Sequence, residues 1–301
     1  MIPSSSAKSL THKPRPREHR SSITAVRIVT SPEPQPSLAA TLRRLFRVEN
    51  RRQAIRKGRV ERVEGFSRLV TVYLPAGYDE RDDRRYPVLY MQDGQNLFDA
   101  ERAYIPGQHW RLREAADAAI GERTASPVII VGVDHAGTAR IDEYTPTKDP
   151  RYKGGGRADE YARLLLEKLK PLIDSRFRTK AGENAIGGSS LGGLVSMHLA
   201  LKHPEVFSRA AILSPSVWWN KRSILGEVDT FTGSRPRIWL DIGGREGKDA
   251  VDGARALRDR LVAHGWNERS LRYYEDRRGD HSERAWARRV RRALEFLFPP
   301  A

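Results

Sequence analysis

One glycine-flanked serine constrains this chain more than any other feature. Ile186-Gly187-Gly188-Ser189-Ser190-Leu191-Gly192-Gly193 runs from a short apolar stretch straight into Leu194-Val195-Ser196-Met197-His198-Leu199-Ala200, a segment of helical pattern. G-x-S-x-G between a strand and a helix has the spacing of a nucleophile elbow. A serine there stands on a strained strand-to-helix turn, and only flanking residues without a Cβ let the two elements approach closely enough. Small residues also gather at ordinary helix starts, so the motif needs the remaining catalytic parts to carry weight.

Those parts follow in the chain order serine, acid, histidine. The run Arg237-Ile238-Trp239-Leu240-Asp241-Ile242-Gly243-Gly244-Arg245-Glu246-Gly247 reads as a buried strand ending in a glycine turn, the place for an orienting carboxylate. Glu246 is the first candidate, with Asp249 and Asp241 behind it. Asp241 alternates within the strand and is expected to cap a sheet edge. His281 follows the strand-like Leu271-Arg272-Tyr273-Tyr274 and the polar loop 275–280, and it immediately precedes an amphipathic helix, where an imidazole can reach a serine on a neighbouring strand. The other histidines suit the task less well: His198 and His203 lie behind the elbow, His264 at a helix end, and His12 and His19 near the start of the chain.

An oxyanion hole is expected upstream. Tyr86-Pro87-Val88-Leu89-Tyr90-Met91-Gln92 reads as a buried strand that breaks at Asp93-Gly94, freeing the backbone beyond it to aim N–H groups at a developing negative charge. The main-chain N–H groups of Gln95 and Leu191 are assigned to the hole. The acidic and amide groups of 93–99 also raise the question of calcium, but the loop lacks the alternating ligands and closing Glu of an EF-hand. Neither a metal nor a cofactor is expected.

Strands are predicted near 59–64, 67–74, 86–91, 127–134, 183–187, 208–213, 236–242 and 269–274, and helices near 110–119, 158–174, 191–202, 248–264 and 283–298. Strands alternating with helices imply a largely parallel sheet covered on both faces, its first two strands able to pair as an antiparallel hairpin. In the last helix Trp286, Val290, Leu294 and Leu297 recur at helical spacing and make a core stripe. There is no internal repeat, and no apolar run approaches about eighteen residues, so no transmembrane segment is expected.

Six segments occur in an order that resembles the putative-esterase family, which holds the enterochelin esterases, esterase D, and feruloyl and acetyl esterases. They are Val72-Tyr73-Leu74-Pro75-Ala76-Gly77-Tyr78, the stretch 86–99, Gly132-Val133-Asp134 with Arg140-Ile141-Asp142-Glu143-Tyr144-Thr145-Pro146, the elbow, Leu213-Ser214-Pro215-Ser216-Val217-Trp218-Trp219, and Gly279-Asp280-His281-Ser282-Glu283. The Ser-Pro-Ser-x-Trp-Trp run looks closest to the enterochelin-esterase-like branch. The resemblance covers residues 60–298 and implies an α/β-hydrolase fold with ester hydrolysis through an acyl-serine. The family's acid is often Asp where this chain has Glu246, and its substrates vary widely. Two alternatives stay open: an acyltransferase of the same fold, and a non-catalytic protein whose basic arm binds polyanions.

That arm is where the charge gathers. Of the formal net charge of +16, residues 1–57 carry 13 Lys or Arg against Glu18, Glu33 and Glu49. The division expected is a basic, largely disordered extension over 1–57 and a single catalytic domain over 58–301. Ser37 is placed to cap a basic helix with Leu38, Leu42, Leu45 and Phe46 on one side, able to touch anionic lipid or nucleic acid or to dock on the domain. No apolar secretory segment is evident, and the chain has no cysteine, which fits a reducing compartment and favours the cytoplasm.

Substrate contacts are expected from two places. Ser216, Trp218 and Trp219 follow a buried strand that should neighbour the elbow strand, so the tryptophans can reach the rim. Arg140 and Glu143 are candidates for a second wall, as a structural ion pair or as a clamp for a polar acyl group. Aromatic faces beside cations would suit a flat, electron-rich acyl group such as a catecholate or hydroxycinnamate.

Overall fold

The computed structural model describes residues 56–81 and 83–300, so the proposed helix at Ser37 lies outside the described residues. An eight-stranded sheet runs in the order β1-β2-β4-β3-β7-β8-β9-β10. Its strands are β1 Arg59–Val63, β2 Val70–Leu74, β3 Tyr86–Gln92, β4 Ile129–Val133, β7 Thr179–Ser189, β8 Phe207–Leu213, β9 Arg237–Gly243 and β10 Leu271–Asp276. Two short strands, β5 Lys148–Asp149 and β6 Gly154–Gly155, form a separate ribbon. β2 pairs antiparallel with both β1 and β4, and every other pairing in the large sheet is parallel. Every residue of β3 and β4 is buried, as expected of parallel strands covered on both faces.

The helices are α1 Leu112–Gly121, α2 Arg140–Glu143, α3 Ala158–Leu164, α4 Lys170–Arg176, α5 Leu191–Lys202, α6 Trp219–Arg222, α7 Ile224–Asp229, α8 Lys248–Ala263 and α9 Glu283–Leu297. Two apolar clusters fill the space either side of the sheet. One joins residues of α3, α5, α7 and α8 to the sheet; the other joins α1 and α9, with Trp110, Trp286, Val290 and Leu294 among its members. The predicted stripe on α9 is therefore core. α5 has no polar face and is buried along all but its last residue, which a helix enclosed between sheet and outer helices requires.

The differences from expectation are local. The helix predicted over 158–174 is interrupted by a π stretch, Leu165–Leu169. Asp241 does not cap a sheet edge: β9 lies between β8 and β10, and the side chain is fully buried. No helix among the described residues is long and apolar enough to cross a membrane.

Candidate active site

The elbow has the strain its sequence implies. Ser190 has φ 57° and ψ −125°, a conformation non-glycine residues hold only when the surroundings over-determine it. Its N–H donates to Leu213 O at 3.1 Å, and its own carbonyl accepts from Ser216 N–H at 3.0 Å. A Cβ on Gly188 would lie 2.8 Å from the backbone of Gly192, and one on Gly192 would lie 3.0 Å from Gln92 Cβ. The glycines are thus needed for close approach of β7, α5 and the end of β3.

His281 and Glu246 converge on Ser190 from two other strand ends. His281 Nε2 is 3.0 Å from Ser190 Oγ, and Nδ1 is 2.6 Å from Glu246 Oε2. The edge of the imidazole packs on Trp286 at 5.0 Å between centroids. Burial pushes the Glu246 carboxyl upward, but hydrogen bonds from His281, Ser214 Oγ and the Gly243 N–H outweigh it and hold the group below the ordinary Glu value. An ionised Glu246 can only accept, which makes Nδ1 the donor and leaves Nε2 free to take a proton from the serine. Asp249 is exposed at the start of α8 and Asp241 bonds elsewhere, so of the three acids considered only Glu246 meets the imidazole.

Behind the carboxylate lies a buried layer that sequence reasoning missed. Ser214, at φ 43°, donates from Oγ to Glu246 Oε1 at 2.5 Å and accepts from Trp286 Nε1 at 2.9 Å and Arg289 Nη2 at 2.7 Å. Arg289 is 1 % exposed and pairs with the fully buried Asp241 at 3.1 Å. Desolvation raises the Asp241 carboxyl, opposed by the Arg289 charge and the Trp239 indole N–H.

On the other side of Ser190, the N–H groups of Gln95 and Leu191 have no hydrogen-bond acceptor among the described residues. The turn carrying Gln95 is fixed by Asp93, itself at φ 56°, whose carboxylate takes two hydrogen bonds of 2.7 Å from Arg140. Asn96 ties the same turn to α9 through Glu283 at 3.4 Å, and it accepts from Tyr104 N–H at 2.8 Å.

The expected second wall is not built as sequence suggested. Arg140 does not pair with Glu143; its guanidinium is committed to Asp93 and lies over the Tyr144 ring, so it holds the turn that carries Gln95 instead of offering a clamp. Both Glu143 oxygens accept from Arg68, at 2.7 and 2.9 Å, which leaves that carboxylate no role as a free ligand contact. Ser216 is buried beside Ser190, Oγ to Oγ 3.4 Å. The tryptophans separate: Trp218 is 37 % exposed, whereas Trp219 is 1 % exposed, with its indole N–H donated to Thr147 O at 2.7 Å. Trp219 is covered by Tyr152, an exposed ring stacked on it at 5.2 Å and also touching Trp218 at 5.6 Å, and by Trp218 itself at 5.8 Å. Tyr152 sits in a glycine-rich loop with no periodic pattern to mark it.

Comparison with known proteins places the chain in a family. The sequence model of the family described as Putative esterase matches residues 65–297. Uncharacterized protein YbbA of Bacillus subtilis is 24% identical over 80% of this chain and 97% of its own length. A siderophore enterobactin esterase of Emericella nidulans is 32% identical over a shorter stretch, 36% of this chain and 40% of that protein. Among solved structures, the BES protein from Bacillus cereus superposes with a TM-score of 0.63 at 24% identity, covering 79% of this chain and 94% of that one.

Proposed function

The chain belongs to the putative-esterase family of α/β-hydrolases and is a carboxylic ester hydrolase, and from that premise we propose that Ser190 is its nucleophile, His281 its general base and acid, and Glu246 the group that orients the imidazole. The observation that carries this reading is the continuous hydrogen-bonded line Ser190–His281–Glu246 on a strained elbow. Ser190 Oγ attacks the ester carbonyl while its proton passes to His281 Nε2. The tetrahedral oxyanion is held by Leu191 and Gln95 N–H groups, each worth roughly a hundred- to a thousandfold in rate. His281 then protonates the departing alcohol, and a water activated by the same nitrogen releases the acid from the acyl-serine. Labelling by a fluorophosphonate and turnover of aryl esters test the assignment. Ser190→Ala should abolish both and lower kcat by about a millionfold, and Glu246→Gln should be far more damaging than Asp249→Asn. The reverse order for the two acids would move the orienting role to Asp249.

For the substrate we propose an ester with a flat aromatic acyl group, including catecholate siderophore lactones; the Emericella relative is by name a siderophore enterobactin esterase. The exposed large hydrophobic side chains among the described residues are Tyr104, Ile105, Ile141, Tyr152 and Trp218, and all of them lie on segments that leave the carboxyl ends of β3, β4 and β8, around Ser190. Scattered exposed apolar residues need no explanation, but their confinement to one end of the sheet does. Trp218→Ala should lower kcat/KM for feruloyl and dihydroxybenzoyl esters more than for acetate esters. Equal losses would remove the support for an aromatic subsite. We assign catalysis to residues 58–301, with 1–57 as an extension, and place the enzyme in the cytoplasm, in keeping with a sequence without cysteine.

A further inference from the structure

A second site lies at the opposite end of the sheet. The start of β9, the first four residues of β10 and the outer side of α9 line an open pocket of about 340 Å3 that includes Arg237, Arg272, Arg292, Tyr274, Phe296 and Glu295. Arg237 is the first residue of β9, whereas Glu246 lies beyond its last, so six strand steps of roughly 3.3 Å put Arg237 about 20 Å from the end of β9 that leads to Glu246.

Its charges are arranged in a way that packing alone does not require. The guanidinium carbons of Arg237 and Arg272 stand over the same Phe296 ring, at 4.4 and 5.5 Å from its centroid, and that of Arg292 stands over Tyr274 at 4.9 Å. One guanidinium would cover each ring and gain the cation–π attraction. A second cation on the same ring adds repulsion. None of the three has a hydrogen-bond or ion-pair partner among the described residues, and Arg237 Nε is buried without one. Glu295, the carboxylate in the lining, accepts on Oε1 from Arg291 Nε at 2.8 Å and Thr124 Oγ1 at 2.7 Å, and Arg291 offsets its charge. Burial, together with the charges of Arg209 and Arg272, holds the Arg237 guanidinium below its ordinary pKa. A buried, unpartnered N–H on a cation is costly, and the cost disappears when an anion accepts from it.

We propose that this pocket binds a small phosphoryl anion carrying at least two negative charges, its oxygens accepting from the N–H edges of Arg237, Arg272 and Arg292. The rings of Phe296 and Tyr274 hold the guanidinium faces, so the donor edges are already oriented, and planar guanidinium forks match phosphate oxygens in pairs. The chemistry is shared by free pyrophosphate and by the phosphates of a nucleotide. Citrate has comparable charge without that oxygen geometry.

Calorimetric titration of the full chain with pyrophosphate, ATP and citrate at about 0.15 M salt tests the proposal, since surface electrostatics are largely screened there. One pyrophosphate site per chain is expected, with citrate at least about tenfold weaker, which is the discrimination one good charged contact supplies. ATP binding as tight as pyrophosphate would identify the nucleotide as the source of the phosphates, and weaker ATP binding the free anion. Arg272→Gln and Arg292→Gln, both on accessible side chains, should each weaken pyrophosphate about tenfold or more, and the double variant should lose it while keeping aryl-ester turnover. The proposal is overturned if the double variant titrates like the parent, which would put binding on the basic segment 1–57, if citrate binds as well as pyrophosphate, or if no binding is seen.

Discussion

Replacing Arg289 by Met tests the buried layer behind Glu246. The guanidinium faces three carboxylates: Asp241 at 3.1 Å, Glu246 at 3.6 Å and Asp276 at 3.8 Å. Without it the fully buried Asp241 side chain keeps the Trp239 indole N–H, at 2.8 Å, and the Ser214 backbone N–H, but no opposite charge, and Glu246 stays nearby with like charge. Removing one partner of a buried pair costs about 3–5 kcal/mol, because the other charge is left uncompensated. For a domain of this size that corresponds to a Tm lower by about 6–20 °C. Asp241→Asn should cost less, since Arg289 then still donates to Ser214 Oγ at 2.7 Å and faces Glu246. The double variant should be more stable than Arg289→Met alone, because no buried carboxylate at 241 remains to be neutralised. Urea unfolding of the four proteins in a double-mutant cycle reads the coupling. Losses that simply add, within about 0.5 kcal/mol, would show that the two groups do not depend on each other and would refute the reasoning.

Three further outcomes follow from other parts of the fold. Gly188→Ala should destabilise by about 1–3 kcal/mol, with a larger proportional loss of kcat, because its Cβ meets the Gly192 backbone at 2.8 Å; a parent-like urea midpoint would mean that the elbow relaxes. His198 is drawn down by burial but held above its ordinary value of 6.5 by hydrogen bonds and charge from Glu227, at 2.6 Å, and Asp159. Its folded pKa is raised, so its stabilisation is complete below pH 6.5 and is lost as pH rises through the folded value; the stability advantage of the parent over His198→Gln should shrink across that window, and an advantage independent of pH would contradict it. A chain beginning at residue 56 should hydrolyse aryl esters at close to the parent rate, and a large fall in kcat would mean that the basic segment forms part of the pocket.

The strands were legible because this sheet is parallel at its centre, where burial on both faces turns each strand into an apolar run. Their ends were less so. β7 extends back through the exposed Lys180, Ala181 and Gly182 to Thr179, which pairs with Tyr86 across a register shift, and β10 runs on to Asp276, because backbone pairing does not require apolar side chains. The helices Trp219–Arg222 and Ile224–Asp229 left no periodic signal: they are short, and Asn220 and Lys221 within the first have left-handed backbone angles. The π stretch in 165–169 likewise keeps helical spacing nearly intact, so the apolar pattern reads through it.

At the proposed site, the three side chains that meet, Ser190, His281 and Glu246, were legible as candidates because each sits at a strand end announced by a local pattern. The supporting layer was hidden by a habit of reading arginine as surface. Yet α9 carried the signal: Arg289 lies three residues after Trp286 and four before Ala293, in phase with the apolar stripe, and Glu283 lies three before Trp286 on the same side. Both are buried, and each bonds to a turn that shapes the site, Arg289 to Ser214 and Glu283 to Asn96. A charge in phase with a core stripe must find a partner, because an isolated buried ion is too costly to keep. Asp241, in an otherwise apolar strand, was the matching anomaly. Taken together, two charges of opposite sign in two buried faces define a contact between β9 and α9, and that contact sets the floor on which Ser214 and Glu246 stand.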